Sequence, residues 1–155
     1  MIGAEDFLSI AFAVIFGAAI GAEREISGKA AGLRTNVLIC LGAAVYTIVS
    51  KDMAAGTAEG SVTRIAAQIV SGVGFLGAGA IIQDRGGVHG LTTAATIWLV
   101  ASIGMACGAR FYHLAVAATL IAIVVLVALG KLAKPLEQYG IKHKLRNPSP
   151  PRQTD

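Results

Sequence analysis

Charged residues are scarce in this chain of 155 residues. Asp, Glu, Lys and Arg make up 14% of it, whereas soluble domains carry about 25%. The charges that are present occur in groups, at 5–6, 23–34, 51–64, 84–85, 110 and from 131 onward, and the intervals between the groups are almost purely apolar, glycine and alanine. This scarcity excludes an ordinary soluble domain and favours a chain that lies in a lipid bilayer.

The sequence also lacks the patterns of metal centres and enzymes. Cys40 and Cys107 have no Cys or His at ligand spacing, so we interpret both as small buried residues. His89, His113 and His143 lie too far apart along the predicted topology to form one metal site. No nucleophile–base arrangement, phosphate-binding loop or dinucleotide fingerprint occurs. We therefore expect no enzyme activity, no cofactor and no nucleic-acid partner.

Five intervals free of charge predict transmembrane helices. A helix needs roughly 20 residues to cross a bilayer core, and the two shorter runs can extend into their polar flanks. None of the runs shows the alternating polarity of a barrel strand. The runs are 7–22, 35–50, 65–83, 86–109 and 111–130.

The predicted fold class is an all-α polytopic membrane protein of about five transmembrane helices. Residues 1–130 form the membrane domain, and residues 131–155 form a basic tail whose last part is disordered. With the N-terminus outside, the cytoplasmic segments carry 10 Lys and Arg residues and the outer segments carry 3. Glu5 and Asp6 stand where a signal peptide would be basic, so we expect the first helix to remain. These features predict a bacterial inner-membrane protein with its C-terminus in the cytoplasm.

Helices 1–2 and helices 3–4 show an internal duplication. Phe16–Arg24 and Phe75–Arg85 both end in an acid followed by arginine, and the next helices open with Gly32-Leu33 and Gly90-Leu91. At an offset of 58 positions, six of the thirteen residues in 32–44 are identical. Two helices return the chain to its starting side, so the predicted repeats are parallel and both acid–arginine loops share the cytoplasmic face.

Glycine spacing predicts close helix contacts. G-x-x-x-G pairs occur in the first and fourth helices, and a denser row of glycines makes the third helix the expected centre of the bundle. The contacts could form within one chain or between copies, and the sequence leaves both open. The residues are Gly17, Gly21, Gly72, Gly74, Gly77, Gly79, Gly104 and Gly108.

Polar side chains inside the third and fourth helices form a second candidate set, because hydrocarbon offers them no partner. They either join the two helices or, for the threonines, donate to carbonyls of their own helix. No Asp, Glu or Lys lies deep in a predicted span, which argues against a proton relay or a central ion site. The set is Gln68, Ser71, Thr92, Thr93 and Thr96.

Charged residues at the predicted cytoplasmic boundary form a third set. They are Glu23, Arg24, Arg34, Asp84 and Arg85. Pairing between arginine and carboxylate is their simplest use. Glu23 and Asp84 could instead form a weak hydrated Mg²⁺ site, since Mg²⁺ usually takes one or two carboxylates and keeps several waters.

Four motifs resemble the MgtC/SapB family across roughly residues 4–130. They are Gly21-Ala-Glu-Arg-Glu, Ala31-Gly-Leu-Arg-Thr, the run from Arg64 to Gly79, and Gly90-Leu-Thr-Thr-Ala-Ala-Thr-Ile-Trp. Longer members carry a soluble cytoplasmic domain after the last helix, whereas this chain ends 25 residues beyond Gly130. Some members also place Asn where this chain has Thr92.

The resemblance implies a bacterial inner-membrane protein associated with growth in low magnesium and, in pathogens, with virulence through survival inside macrophages. It leaves two activities open: modulation of another membrane complex, with the ATP synthase as the proposed target, or transport or sensing of Mg²⁺ or another cation. We expect modulation, because no acid lies deep in the bilayer and the helix contacts are rich in glycine. The expected partners are lipid, such a complex and further copies of the chain.

Overall fold

The computed structural model describes residues 3–54, 60–84 and 87–146, without the side chains of residues 60–65, 84 and 133–146. Within this part of the chain it has five α-helices and one short β-hairpin. In chain order they are α1 (Ala4–Ile26), α2 (Leu33–Ala54), α3 (Gly60–Gly79), β1 (Ile82–Asp84), β2 (Gly87–His89), α4 (Leu91–Gly108) and α5 (Tyr112–Arg146). The predicted all-α class is confirmed.

Most of these helices have the length and composition of a membrane span. α1, α2, α4 and the stretch Tyr112–Leu132 of α5 are long and apolar enough to cross a bilayer, and α3 has a shorter apolar part, Ala66–Gly79. Large apolar side chains such as Phe7, Leu38 and Leu114 are exposed on the outer faces of the helices. Such faces suit a lipid environment, so the prediction of a polytopic membrane protein is also confirmed.

The chain divides into two compact units, Met1–Ile123 and Val124–Asp155. The first contains α1 to α4, the hairpin and the first turns of α5, and the second contains the remainder of α5. The core of the first unit is built from small and branched apolar residues, of which Ile20, Val100 and Ile103 are the largest that are fully buried.

α2 is the central helix of the first unit, and glycines let its neighbours approach it closely. A Cβ atom added to Gly17 or Gly21 of α1 would lie 2.9 or 2.8 Å from atoms of α2. A Cβ atom at Gly104 or Gly108 of α4 would collide with backbone carbonyl oxygens of α2. The structure therefore places α2 between α1 and α4, in the position that the sequence analysis expects for the third helix.

The connection between α3 and α4 also departs from the sequence analysis, which assigns 65–83 and 86–109 to two helices. α3 ends at Gly79, α4 begins at Leu91, and the antiparallel strands β1 and β2 lie between them. The glycine-rich end of α3 has low helix propensity, which explains its early end. Gly90 then adopts a left-handed conformation, with φ of 87°, immediately before α4.

One feature agrees with the offset of the predicted duplication. α2 and α4 begin at Leu33 and Leu91, which are 58 positions apart. The glycine contacts do not follow this offset, because Gly21 lies against Asn36, whereas an added Cβ at its counterpart Gly79 would meet nothing within 4 Å. The duplication itself stays a prediction.

Candidate functional site

Charged residues cluster at both ends of α1, and we name the two groups by the helices they join. The α1–α2 boundary cluster consists of Glu23, Arg24, Glu25 and Ser27, at the end of α1. The α1–α5 boundary cluster consists of Glu5, Asp6 and Arg110. A helix of 23 residues is about 35 Å long, so the clusters lie near opposite faces of a bilayer.

The α1–α2 boundary cluster is an ion pair with both carboxylate oxygens engaged. Arg24 is buried, with 3% of its surface exposed, and its guanidinium pairs with Oε2 of Glu23. The hydroxyl of Ser27 donates to the other oxygen, Oε1, at 2.8 Å. Glu23 therefore neutralises the buried arginine with one oxygen and anchors the end of α1 with the other.

Glu25 in the same cluster caps the following helix. Its Oε2 atom accepts the backbone N–H of Leu33 at 3.0 Å, which satisfies one of the free donors at the start of α2. Gly32 permits this contact, because a Cβ atom there would overlap the carboxylate of Glu25. Arg34 is exposed one residue further on.

Two members of the predicted cytoplasmic set cannot be placed beside this cluster. The side chain of Asp84 and all of Arg85 lie outside the described residues. The structure thus brings together Glu23 and Arg24 of the predicted set, and it leaves the joining of the two acid–arginine loops as a prediction.

Asn36 is a buried polar residue that the sequence analysis missed. It is fully buried where α2 meets Gly17 and Gly21 of α1, and its Nδ2 atom donates to the carbonyl oxygens of Ala31 and Gly32 at 2.7 and 2.8 Å. Its Oδ1 atom has no hydrogen-bond partner in the described structure. Asn36 therefore fixes the loop before α2 by closing back on it, as capping side chains do.

The α1–α5 boundary cluster was also missed. Arg110 pairs with Glu5 through Nη1 and donates from Nη2 to Oδ1 of Asp6 at 2.9 Å. The hydrogen bond with Asp6, together with the charge of Glu5, raises the pKa of Arg110. Asp6 accepts the N–H of Gly3 with its other oxygen at 2.9 Å, so one carboxylate both caps α1 and holds Arg110.

Tyr112 extends this contact into the apolar core. Its hydroxyl lies 2.8 Å from the hydroxyl of Ser9, and its ring lies 5.1 Å from the ring of Phe12. The predicted topology contained a signal for this contact, since it places the acidic N-terminus and the single arginine of the last loop on the same face. Opposite charges on one face of a small bundle are candidates for pairing.

Between the two clusters, the interior of the bundle contains apolar residues and uncharged polar ones such as Asn36, Thr93 and Thr96. Among the side chains that the structure describes, the only buried charged ones are Asp6 and Arg24, at the two ends of α1. Cys40 and Cys107 are fully buried, as expected for small apolar side chains. The α1–α2–α4 core therefore offers a permeating ion no charged ligand in its middle.

The predicted polar set does not form one cluster. Gln68 and Ser71 are exposed on α3, whereas Thr93 and Thr96 are buried on α4. The hydroxyl of Thr96 donates to the carbonyl of Thr92 at 2.8 Å, which is the local alternative that the sequence left open. No described hydrogen bond links the α3 residues of this set to its α4 residues.

The glycines of α3 differ from those of α1 and α4. Gly77 is in ordinary contact with Ala94, whereas added Cβ atoms at Gly72, Gly74 and Gly79 would meet nothing within 4 Å. An apolar groove of about 540 Å³ runs between α3 and α2, and Gln68 and Tyr46 lie among its lining residues. The close packing expected of α3 within the chain is thus limited to one glycine.

Comparisons with known proteins agree with the motifs. The MgtC family model matches residues 10–135. The chain is 46% identical over 134 residues to Protein MgtC of Salmonella typhimurium (strain LT2), covering 86% of this chain and 56% of that protein. It is 44% identical over 129 residues to Protein MgtC of Brucella abortus (strain 2308), covering 83% of this chain and 51% of that protein. The chain thus spans about half the length of the curated relatives it matches, and no solved structure matches it.

Proposed function

The chain belongs to the MgtC family, and on this premise we propose that it is a bacterial inner-membrane protein that supports adaptation to low magnesium by modulating another membrane complex. It catalyses no reaction in this proposal. The ATP synthase is the partner that the family resemblance offers, and survival of a pathogen inside macrophages is the setting in which such modulation would matter.

The observation that carries this proposal is the closed interior of the α1–α2–α4 core. A carrier or channel needs polar ligands or a hydrated cavity near the bilayer midplane. Here the largest fully buried side chains are Ile20, Val100 and Ile103, the buried polar side chains between the two boundary clusters are uncharged, and helix backbones approach closely at glycines. The groove between α2 and α3 is lined mainly by apolar residues, so it also favours a binding role over conduction.

The occupied oxygens of Glu23 also favour modulation over Mg²⁺ binding. One oxygen pairs with buried Arg24 and the other accepts from Ser27, so Arg24 already neutralises the charge that would attract a metal ion. A metal ion that displaced Arg24 would leave the arginine buried and unpaired, which is costly. We therefore expect no stabilisation by Mg²⁺ at this position beyond the effect of ionic strength.

Flux and pumping assays test the proposal together. Purified protein in liposomes is expected to give the same Mg²⁺, K⁺ and H⁺ flux as empty liposomes. Inverted membrane vesicles that contain the chain are expected to show altered ATP-driven proton pumping relative to vesicles without it. The Gly104→Leu variant is the matched control for the presence of an additional membrane protein in the vesicles. Its side chain would collide with α2, so we expect this variant to have a disrupted bundle. Mg²⁺ flux above the empty-liposome level, or unchanged pumping, would overturn the modulator proposal.

Thermal unfolding in detergent tests the Mg²⁺ expectation separately. Millimolar Mg²⁺ and Ca²⁺ are expected to shift the midpoint equally, because the charge of Glu23 is already neutralised by Arg24. A bound ion stabilises the folded state by mass action, so a true site would show a Mg²⁺-selective rise. Such a rise, lost in Glu23→Gln, would restore the transporter or sensor alternative.

A further inference from the structure

The groove between α2 and α3 is open along its length. Its volume of about 540 Å³ lies within the range of pockets that hold small ligands, and Leu38, Tyr46 and Leu76 are among the residues that line it. Gly42 and Gly72 widen it, because an added Cβ atom at either position would meet nothing within 4 Å. The groove therefore has room for a flexible apolar chain.

The groove also has the length of an acyl chain within one leaflet. Its lining residues on α2 extend from Leu38 to Tyr46, which are about 12 Å apart along the helix axis. Arg34 lies one turn before Leu38, about 18 Å from Tyr46 along the same axis. A bilayer core is about 30 Å thick, so one leaflet contributes about 15 Å of it. With Arg34 at the level of the headgroups, the groove reaches to near the middle of the bilayer.

Arg34 stands at the end of the groove nearest Leu38, and its charge is unpaired. One ridge of α2, at intervals of four residues, consists of Arg34, Leu38, Gly42 and Tyr46. Arg34 is exposed, and no carboxylate of the described side chains forms an ion pair with it. Glu25 lies against the start of α2 but accepts a backbone N–H there. Helical side chains lean toward the N-terminus, so the guanidinium of Arg34 points to the headgroups.

The charge balance differs between the two ends of the bundle. Among the described side chains, three cations stand against two acids at the end that carries Arg34, and two cations stand against three acids at the other end. The first group is Arg24, Lys29, Arg34, Glu23 and Glu25, and the second is Lys51, Arg110, Glu5, Asp6 and Asp52. The start of α2 adds the partial positive charge of a helix N-terminus to the first group. An anion is therefore favoured at the Arg34 end.

Charge and shape together select the occupant of the groove. An apolar groove that begins beneath a free cation matches an acyl chain beneath a phosphate, and arginine near a membrane surface attracts anionic lipids. A second copy in the same orientation is disfavoured, because it would bring its own Arg34 to the same level and like charges repel. A soluble anion would pair with Arg34 but leave the apolar groove unfilled.

We propose that the groove between α2 and α3 binds one acyl chain of an anionic phospholipid, and that Arg34 pairs with the phosphate of its headgroup. The planar guanidinium suits this contact, because it presents two parallel N–H donors to phosphate oxygens. The predicted orientation assigns the lipid to the cytoplasmic leaflet. This site is independent of the proposed function, because lipid binding requires no other membrane complex.

Lipid retention tests the headgroup contact. Protein from vesicles with equal amounts of phosphatidylglycerol and phosphatidylcholine is released into mild detergent, and native mass spectrometry counts the retained lipids. We expect retention of phosphatidylglycerol about fivefold above phosphatidylcholine, as for one added cation at a membrane surface. Arg34→Gln should remove this preference, and Arg34→Lys should keep most of it. Lys51→Gln, at the other end of α2, is the matched control and should leave it unchanged.

Filling the groove tests the acyl-chain contact. Gly72→Leu places a side chain in the groove and should reduce retention of both lipids about tenfold. Gly74→Leu is the matched control, because Gly74 is equally open on the same helix but does not line the groove. Both variants should keep the helicity and thermal midpoint of the original chain, since an added Cβ meets nothing at either position.

Five results would overturn the lipid site. They are equal retention of the two lipids by the original chain, an unchanged preference in Arg34→Gln, equal retention by Gly72→Leu and Gly74→Leu, release of phosphatidylglycerol by millimolar inorganic phosphate, and a lipid-free dimer that Gly72→Leu dissociates. The fourth result would assign Arg34 to a free anion, and the fifth would assign the groove to a second copy.

Discussion

Arg110 occupies a backbone position that helices commonly give to glycine. Its φ is 70°, and the N–H groups of Arg110 and Phe111 bond to the carbonyls of Cys107 and Ala106, the pattern of a left-handed helix end. Gly28 fills the same role at the end of α1, with φ of 64°. An arginine is retained at the end of α4 because its side chain pairs with α1, so a tertiary contact overrides the local preference.

Substitutions at Arg110 separate the contribution of its ion pairs from the cost of its left-handed backbone conformation. Arg110→Ala loses the ion pairs with Glu5 and Asp6 and keeps the unfavourable backbone conformation, whereas Arg110→Gly loses the pairs but removes the backbone cost. We expect the thermal midpoint to follow the order original chain, then Gly, then Ala, with about 2–4 °C between the two variants. Equal midpoints for Gly and Ala would show that the backbone at this position carries no cost.

At the scale of helices, α2 is held by backbone contacts and α3 is not. Glycines of α1 and α4 bring two backbones against α2, while α3 touches its neighbours through a small apolar cluster, Ala43, Ile69 and Ala101, and through an ordinary contact of Gly77 with Ala94. A helix held by direct backbone contact has little room to adjust, because any added atom meets a main chain that cannot rotate away. Substitution by alanine should therefore lower stability at the glycines of α1 and α4 that contact α2, and raise it at the glycines of α3 that face open space.

Alanine at Gly104 and at Gly74 provides the matched comparison. Gly104→Ala adds a methyl group that collides with the carbonyl of Cys40, and we expect it to lower the free energy of unfolding by about 1–3 kcal/mol. Gly74→Ala adds the same group in open space and should raise it by about 0.5–1 kcal/mol through helix propensity. Unfolding in mixed micelles measures both. Destabilisation by Gly74→Ala would show a close neighbour at α3.

The helices could be predicted from the sequence because each is a long apolar run bounded by charge. The runs located α1, α2, α4 and the membrane part of α5 within a few residues. The end of α3 could not be located this way, since the uncharged run continues past Gly79 through Ala80, Ile81 and Ile82. Glycine spacing also identified glycines that pack against a neighbouring helix, but it did not show which helix each of them contacts.

The candidate site was predictable where partners are adjacent in sequence. Glu23 and Arg24 are neighbours, and their pairing needs only a helix end. Arg110 and Asp6 are 104 positions apart, so their contact depends on the order in which helices pack. Asn36 was overlooked because its importance comes from burial between two glycines of α1, which a single helix pattern does not reveal.

At the scale of the whole molecule, the two boundary clusters fix the first unit at both ends of α1. The α1–α2 boundary cluster connects α1 to α2, and the α1–α5 boundary cluster connects α1 to the loop between α4 and α5. Because α1 is a single predicted membrane span, its two ends are expected to lie on opposite sides of the membrane. The distribution of Lys and Arg predicts which side is which.

Reporter fusions test this orientation. Fusions after Lys51 and Arg110 are expected to report the external side, and fusions after Ser27, Arg85 and Arg146 the cytoplasm, because 10 of the 13 Lys and Arg residues then lie inside. An alkaline phosphatase and a fluorescent protein at each point provide opposite readouts. A cytoplasmic signal after Arg110 would contradict the orientation, and an external signal after Arg146 would contradict five crossings.

The contact between Arg110 and Asp6 also sets an order of events during biosynthesis. The two residues are 104 positions apart, and chains are synthesised at about 5–20 residues per second. About 5–20 s therefore pass between the synthesis of Asp6, at the N-terminal end of α1, and the synthesis of its partner Arg110. The contact with α2 is available sooner, since α2 ends at Ala54. The first unit thus closes only once translation has passed α4, and until then α1 is held at one end alone.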